Sequence, residues 1–183
     1  MGNNEMECAV LATDAACRGE SYTAVCRACA PAVFTAIMET LGHGDDPVTR
    51  EVCKASIGLT GGTGLMATGT CGAVAGAAMA ISYSFGLTFA DIEKDMMKML
   101  SVNLAVAELC RRVEESYGHI QCQEIQFSHW GKSFRFSNPD TLAEFVAFLE
   151  DEKSGSKCNK LSGVVSGWGV ECIMKHNPGF RRR

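Results

Sequence analysis

The chain has 183 residues, 46% of them hydrophobic and 21% charged, with 10 cysteines, 19 glycines and 4 prolines. That is enough apolar material for one buried core and too short a chain for several domains. Seventeen Lys and Arg against 21 Asp and Glu leave a net charge of -4, which gives no general pull toward a phosphate backbone or an anionic membrane, so neither nucleic acid nor a lipid surface is expected as a partner.

The amino terminus, MGNNEMECAVLATDAAC, carries acidic residues where a secretory signal would carry basic ones, and it lacks the apolar run of such a signal. The longest weakly polar stretch, Cys71 to Leu87, is short of a bilayer span and is built of Gly, Ala and Ser. A cytoplasmic protein is expected. In that reducing compartment ten thiols do not form a disulfide framework, so some should bind metal or do redox work.

Helical spacing dominates, and no stretch alternates with period two. The expected fold is all-α, a compact multi-helix bundle in one domain over 1–183. It comprises an amino-terminal helical extension over 1–25, a core over 26–176 and a flexible tail over 177–183 ending in Arg181, Arg182 and Arg183. Pro31 marks the first turn of a helix ending near Gly42, and Asp46-Pro47 opens another to about Ile57. The Gly-rich segment from Gly58 then leads into a central helix whose Gly72, Gly76, Ala80 and Ser84 recur every four residues, a stripe small enough to admit a close neighbour.

Thr88 with Asp91 forms a capping box for a long helix. Its seam would be Phe89, Ile92, Met96, Met99, Asn103, Val106, Cys110, Val113 and Tyr117, with Gly118 as the stop. Asn103 interrupts that seam, as a register-fixing polar residue does in a packed or paired helix, and a seam of this length predicts a homodimer. Asn138-Pro139 starts a further helix to about Lys153, Ser154–Ser156 reads as a loop, and the last helix opens near Cys158 with Leu161, Val165, Trp168 and Cys172 on one face.

Cys26 and Cys29 form a CxxC, but Ala30 stands where c-type haem attachment needs His, and no strand precedes it as in thioredoxin-like sites. The other cysteines are far apart, so a multi-thiolate site has to be assembled by the fold. Cys29, Cys71 and Cys158 fall at or near expected helix starts, where free N–H groups favour thiolate, and Cys122 follows the long helix. In a bundle of alternating direction these ends meet at one pole. The competing reading of each is a small core residue.

The segment Gly61 to Gly86, with Cys29-Ala30-Pro31-Ala32-Val33, Cys122-Gln123-Glu124 and Lys157-Cys158, resembles the C-GCAxxG-C-C family of redox-active bacterial proteins. The resemblance runs from about Cys29 to His176 and implies a helical iron–sulfur or redox protein, without haem. It aligns Cys29, Cys71, Cys122 and Cys158 with the family's four cysteines. Here Cys71 precedes Gly72-Ala73 one residue earlier than in the motif that names the family, and Cys8, Cys17, Cys26 and Cys53 are additional. Cys26 is the readiest substitute ligand or relay thiol.

Gly62 to Ala67 fits GxGxxA, but a helix and not a strand precedes it, so a loop that turns backbone amides toward cluster sulfurs or an anion is expected in place of a nucleotide site. His119, His129 and Trp130 flank Cys122, and a histidine there is either a ligand or proton donor or simply a satisfied surface group. Met96, Met97 and Met99 read as core filling and helix surface. Cys110 and Cys172, on apolar stripes, read as buried inert thiols. The expected function is electron transfer through an iron–sulfur cluster, 4Fe–4S or 2Fe–2S, held by Cys29, Cys71, Cys122 and Cys158, with an unidentified redox partner protein. The alternatives are metal-free thiol/disulfide chemistry and a zinc-stapled structural or interaction module on the same residues. No acid–base pair or nucleophile triad supports a catalytic assignment.

Overall fold

The computed structural model describes residues 2–135, 139–150 and 152–181. Among them the regular structure is helical apart from one isolated antiparallel bridge, Thr70 to Gln121, as the spacing predicts. Helix α1 (Asn3–Cys26) lies along α9 (Glu152–His176) in the most extensive helix pair of the molecule. Small residues let the two backbones close: a Cβ added at Gly163 would stand 2.7 Å from the Ala16 carbonyl oxygen, and one at Gly167 2.9 Å from that of Ala12.

Helix α2 (Cys29–Thr40) is buried on most sides, through Val33, Phe34, Ile37 and Met38. It is tied to α1 by Arg18 on the Glu39 carboxylate at 3.0 Å and by the Thr40 hydroxyl donating to Asp14 at 2.9 Å. Asp46 caps α3 (Pro47–Ser56) by accepting from the Val48 N–H at 3.0 Å, which is the start that Asp46-Pro47 announces. Helix α4 (Gly72–Phe85) turns its Gly72, Gly76, Ala80 and Ser84 stripe inward. At Gly76 an added Cβ would lie 2.2 Å from the Ala30 carbonyl oxygen, so α2 crosses α4 at backbone contact.

The expected helix from Phe89 to Tyr117 is two helices, α5 (Phe89–Lys94) and α6 (Met97–Tyr117). The Thr88–Asp91 capping box and the left-handed stop at Gly118 stand where the sequence puts them. The break falls at Asp95, whose backbone is extended and whose carboxylate accepts from the Met97 N–H at 3.0 Å. A short acidic side chain competes there for the amide that would otherwise join the helix ladder. The buried face of α6 is Val102, Ala105, Leu109 and Val113. Asn103 is exposed and interrupts no seam, Phe89 and Met96 are 82% and 66% exposed, and Cys110 is half-buried at the edge of a groove instead of in the core. Met97 is exposed and Met99 half-buried, so these methionines are surface more than core.

A short helix that the sequence does not announce, α7 (Cys122–Trp130), follows, then α8 (Pro139–Glu150). Asn138 lies outside the described residues, as do Arg182 and Arg183. The loop expected at Ser154–Ser156 is helical: α9 begins at Glu152, and Cys158 sits in its second turn, not at its start. No proline falls in that stretch to forbid a helix, and the long contact with α1 carries α9 through residues of modest propensity. Near the carboxyl end, the Phe180 ring stacks on His43 at 4.1 Å and its carbonyl accepts from His43 Nε2 at 2.6 Å, so the chain there is pinned to the α2–α3 turn.

Because the Ala30 carbonyl already occupies the space a side chain would need, Gly76→Leu overpacks the α2–α4 crossing. A loss of about 1–3 kcal/mol or more is expected, read as a lower midpoint in urea unfolding. An unchanged midpoint would refute the close crossing.

Candidate metal centre

Two local devices place the cysteines. The first is the Gly-rich turn. Gly61, Gly62, Thr63, Gly64, Leu65 and Ala67 all have positive φ, and their amides bond back within the turn, Gly64 to the Gly58 carbonyl at 2.7 Å and Ala67 to that of Gly61 at 2.9 Å. Left-handed backbone of this kind favours glycine, and at Gly62 an added Cβ would also come within 2.8 Å of the Cys122 Cβ. The GxGxxA spacing therefore serves a left-handed turn that carries Cys122 on its back.

The second device is the bridge between Thr70 and Gln121. The Cys71 N–H donates to the Ile120 carbonyl at 2.7 Å, the Cys122 N–H to Gly69 at 3.0 Å and the Gln123 N–H to Ala67 at 2.8 Å. This pairing sets Cys71, the N-cap of α4, beside Cys122, the first residue of α7. Cys29, the first residue of α2, reaches the same place, since a Cβ on Gly72 would be 2.3 Å from its Sγ. Cys158 arrives from α9. Its neighbour Lys157 donates through Nζ to the His129 carbonyl at the end of α7, which fixes α9 against α7.

All four, Cys29, Cys71, Cys122 and Cys158, line one cavity of about 410 Å³. Three of them stand at helix starts. Thr23, Arg27, Thr60, Gln126 and Trp130 complete much of its wall. Burial raises the Cys29 thiol, partly opposed by the N–H groups of Gly61 and Ala30 that face it. The Cys71 thiol is pushed well above its ordinary value, first by burial and then by the neighbouring Cys29, Cys122 and Cys158. Burial and Cys29 raise Cys122 to about 12, against the amide of Gln126, and Cys158 is raised for the same first two reasons with Cys122 added to Cys29. Burial raises all four, Cys71, Cys122 and Cys158 each also feel other thiols of the cavity, and the four thiols are protonated at physiological pH.

The donor set fits a thiolate-ligated group. Four soft sulfurs share one cavity, and two hydroxyls of its lining residues, Thr23 Oγ1 and Thr60 Oγ1, are buried with no hydrogen-bond partner. Among the described residues no three His, Cys, Asp or Glu side chains are drawn together to hold a single ion. The sulfurs line a wall and do not close on a point.

The remaining candidates lie apart. Cys26 is exposed, donates weakly to the Ala28 carbonyl at 3.6 Å and is not part of the cavity wall. His119 is exposed. His129 stands edge-on to Tyr117 at 5.9 Å, outside the lining, with burial lowering its pKa, so it stays neutral. Cys172 is buried in the core as expected and is raised to about 11 by burial, while half-buried Cys110 is raised too. Gln126, Thr23, Thr60 and Arg27 are site residues that no sequence motif singles out. Gln126 is the one within reach of such a reading, because it lies four residues after Cys122 and hence on the same helix face.

Thiol counting checks this geometry. In reduced, metal-free, folded protein, the exposed Cys17 and Cys26 react first with an aromatic disulfide reagent at pH 8. Cys122, ionised there to the order of one part in ten thousand, reacts only on unfolding or at much higher pH, because raising pH toward 12 restores its thiolate. Rapid native-state labelling of Cys71 and Cys122 would contradict their burial.

Comparison with curated proteins finds no match, and comparison with solved structures finds none either. A family profile described as "Putative redox-active protein (C_GCAxxG_C_C)" matches residues 27–172, a span that contains the four cavity cysteines and the turn and bridge that place them. The chain belongs to the C_GCAxxG_C_C family of redox-active proteins.

Proposed function

We propose that this protein binds an iron–sulfur cluster through Cys29, Cys71, Cys122 and Cys158 and transfers electrons to or from a partner protein in the cytoplasm. The observation that carries the reading is the shared cavity: four cysteines, each on or capping a different helix, line one space of about 410 Å³. Bound there, a cluster supplies reversible one-electron transfer at a potential set by its surroundings. The chain's own residues do the rest. Backbone N–H groups at the starts of α2 and α4 face the Cys29 and Cys71 sulfurs, and the Gln126 amide faces that of Cys122, which tempers the buildup of negative charge when four thiols lose their protons. Arg27, on the cavity wall just after α1, adds a positive charge.

A lining spread over a cavity supports a polynuclear cluster over a lone zinc ion, whose four sulfurs would close to roughly 2.3 Å around one point. The metal-free alternative rests on Cys26, which is exposed at the end of α1 and close enough to Cys29 for its charge to raise the Cys29 thiol. Visible absorption after anaerobic purification separates the three. Broad charge-transfer bands are expected, together with iron and acid-labile sulfide. Cys71→Ser, Cys158→Ser and Gly72→Ala, which pushes on the Cys29 sulfur, each lose most of the iron. Cys110→Ala and Cys172→Ala keep it at a stability cost of about 1–2 kcal/mol. Full iron content in both serine variants would refute the ligand set.

The protein is also proposed to form a homodimer, through the face of α6 opposite its buried one. Met97, Leu100 and Leu104 are exposed there, with Met96 beside them. In an antiparallel two-fold pair, Leu100 of one copy meets Leu104 of the other and Met97 meets Ala107, so the stripe is complementary to itself. Light scattering at micromolar concentration should give a dimer mass, and Leu104→Glu a monomer. A monomer mass for the parent chain removes the proposal.

A further inference from the structure

Gln126 is polar, uncharged and only 4% exposed, in a helix whose remaining buried residues are Cys122 and Ile125. Both ends of its amide are held. The Phe134 backbone N–H donates to Oε1 at 2.7 Å, and Nε2 lies 3.3 Å from Cys122 Sγ. The orientation is forced, because a backbone N–H can only donate, so the oxygen must face Phe134 and the NH2 group must face the sulfur. Phe134 is itself 1% exposed and wedged among Trp130, Phe145 and Phe148 with centroids 5.1–6.0 Å away, which holds the donor to the amide in place. A buried amide aimed so firmly at a sulfur does more than fill space.

We infer that Gln126 is a positioning residue that sets the electron density on the Cys122 sulfur, and through it the reduction potential of the group the four cysteines hold. The inference rests on the proposed function for the identity of that group, but its core, an N–H···S bond to a metal-bound Cys122, does not. A donor to a ligand sulfur withdraws electron density and stabilises the more negative, reduced state over the oxidised one, so its presence raises the potential. The lone glutamine also makes the four thiolates unequal, since no other side-chain amide is bonded to a cavity cysteine among the described residues.

The test compares the parent chain with Gln126→Met, which is close in shape and has no N–H, and Gln126→Leu, which is smaller, uncharged and likewise offers the sulfur no donor. Iron and acid-labile sulfide are measured first, then the midpoint potential by titration with dithionite, one electron passing from reductant to protein. Separately, each chain is loaded with cobalt(II) alone and its sulfur-to-cobalt charge-transfer band recorded. Lower midpoint potentials in both variants and a shift of the cobalt band to longer wavelength, with helical circular dichroism unchanged, are the expected result. An unchanged potential and band in a folded Gln126→Met protein overturns the inference. If that variant does not fold, Gln126→Leu decides by the same two readings. A parent chain without iron and sulfide, whose cobalt band nevertheless shifts on substitution, overturns the cluster and upholds the role of Gln126. A cobalt form with no thiolate band overturns both.

Discussion

The start of α2 rests on the start of α4 with no side chain of α4 between them. Gly72 leaves the room that the Cys29 sulfur occupies, and one turn later Gly76 leaves room for the Ala30 carbonyl. Because the two contacts share one helix face, they fix both the separation and the angle of α2 and α4 near Cys29 and Cys71. Those two elements also supply much of the core through Val33, Phe34, Ile37, Ala73, Ala77 and Ile81. The packing that stabilises the fold and the approach that gathers the thiols are therefore one constraint, and relaxing it for one purpose would spoil the other.

The second half of the site is built from backbone. Three amide bonds across the Thr70–Gln121 bridge lock Cys71 to Cys122, and amides of the left-handed turn before them bond back within it. Main-chain bonding of this kind does not depend on side-chain rotamers, so the register of these two cysteines is set by the backbone alone. Cys158 is held differently, by the long α1–α9 contact and by Lys157 on α7. Its position depends on helices that are distant in sequence.

Electrostatics then define what the cavity can hold. Burial raises all four thiols, and neighbouring thiols raise Cys71, Cys122 and Cys158 further, while the chain offsets this only in part, with backbone N–H groups at Cys29 and Cys71 and the Gln126 amide at Cys122. The cluster core proposed for this cavity would supply the missing positive charge. The rest of the surface is held by ordinary pairs, such as Glu108 with Lys175 and His176 and Arg112 with Glu171, which join α6 to α9. Each of these is partly exposed and of small individual weight.

The sequence by itself determined the helical class, the caps at Asp46 and Thr88, the stop at Gly118, the inward stripe of α4 and the four cysteines with the family they belong to. Each of these is a local pattern or a motif, readable within a few residues. The tertiary structure decided the rest. Whether α6 buries Val102, Ala105 and Leu109 or the seam through Asn103 depends on what packs against it, and either stripe has helical spacing. Whether Ser154–Ser156 is loop or helix depends on the support that α9 receives from α1. That Gly62 serves Cys122, that Gly72 serves Cys29 and that Gln126 binds a sulfur held in place by the Gly-rich turn are close approaches fixed by segments tens of residues apart. Local propensity carries no term for such contacts, so only the folded chain could reveal them.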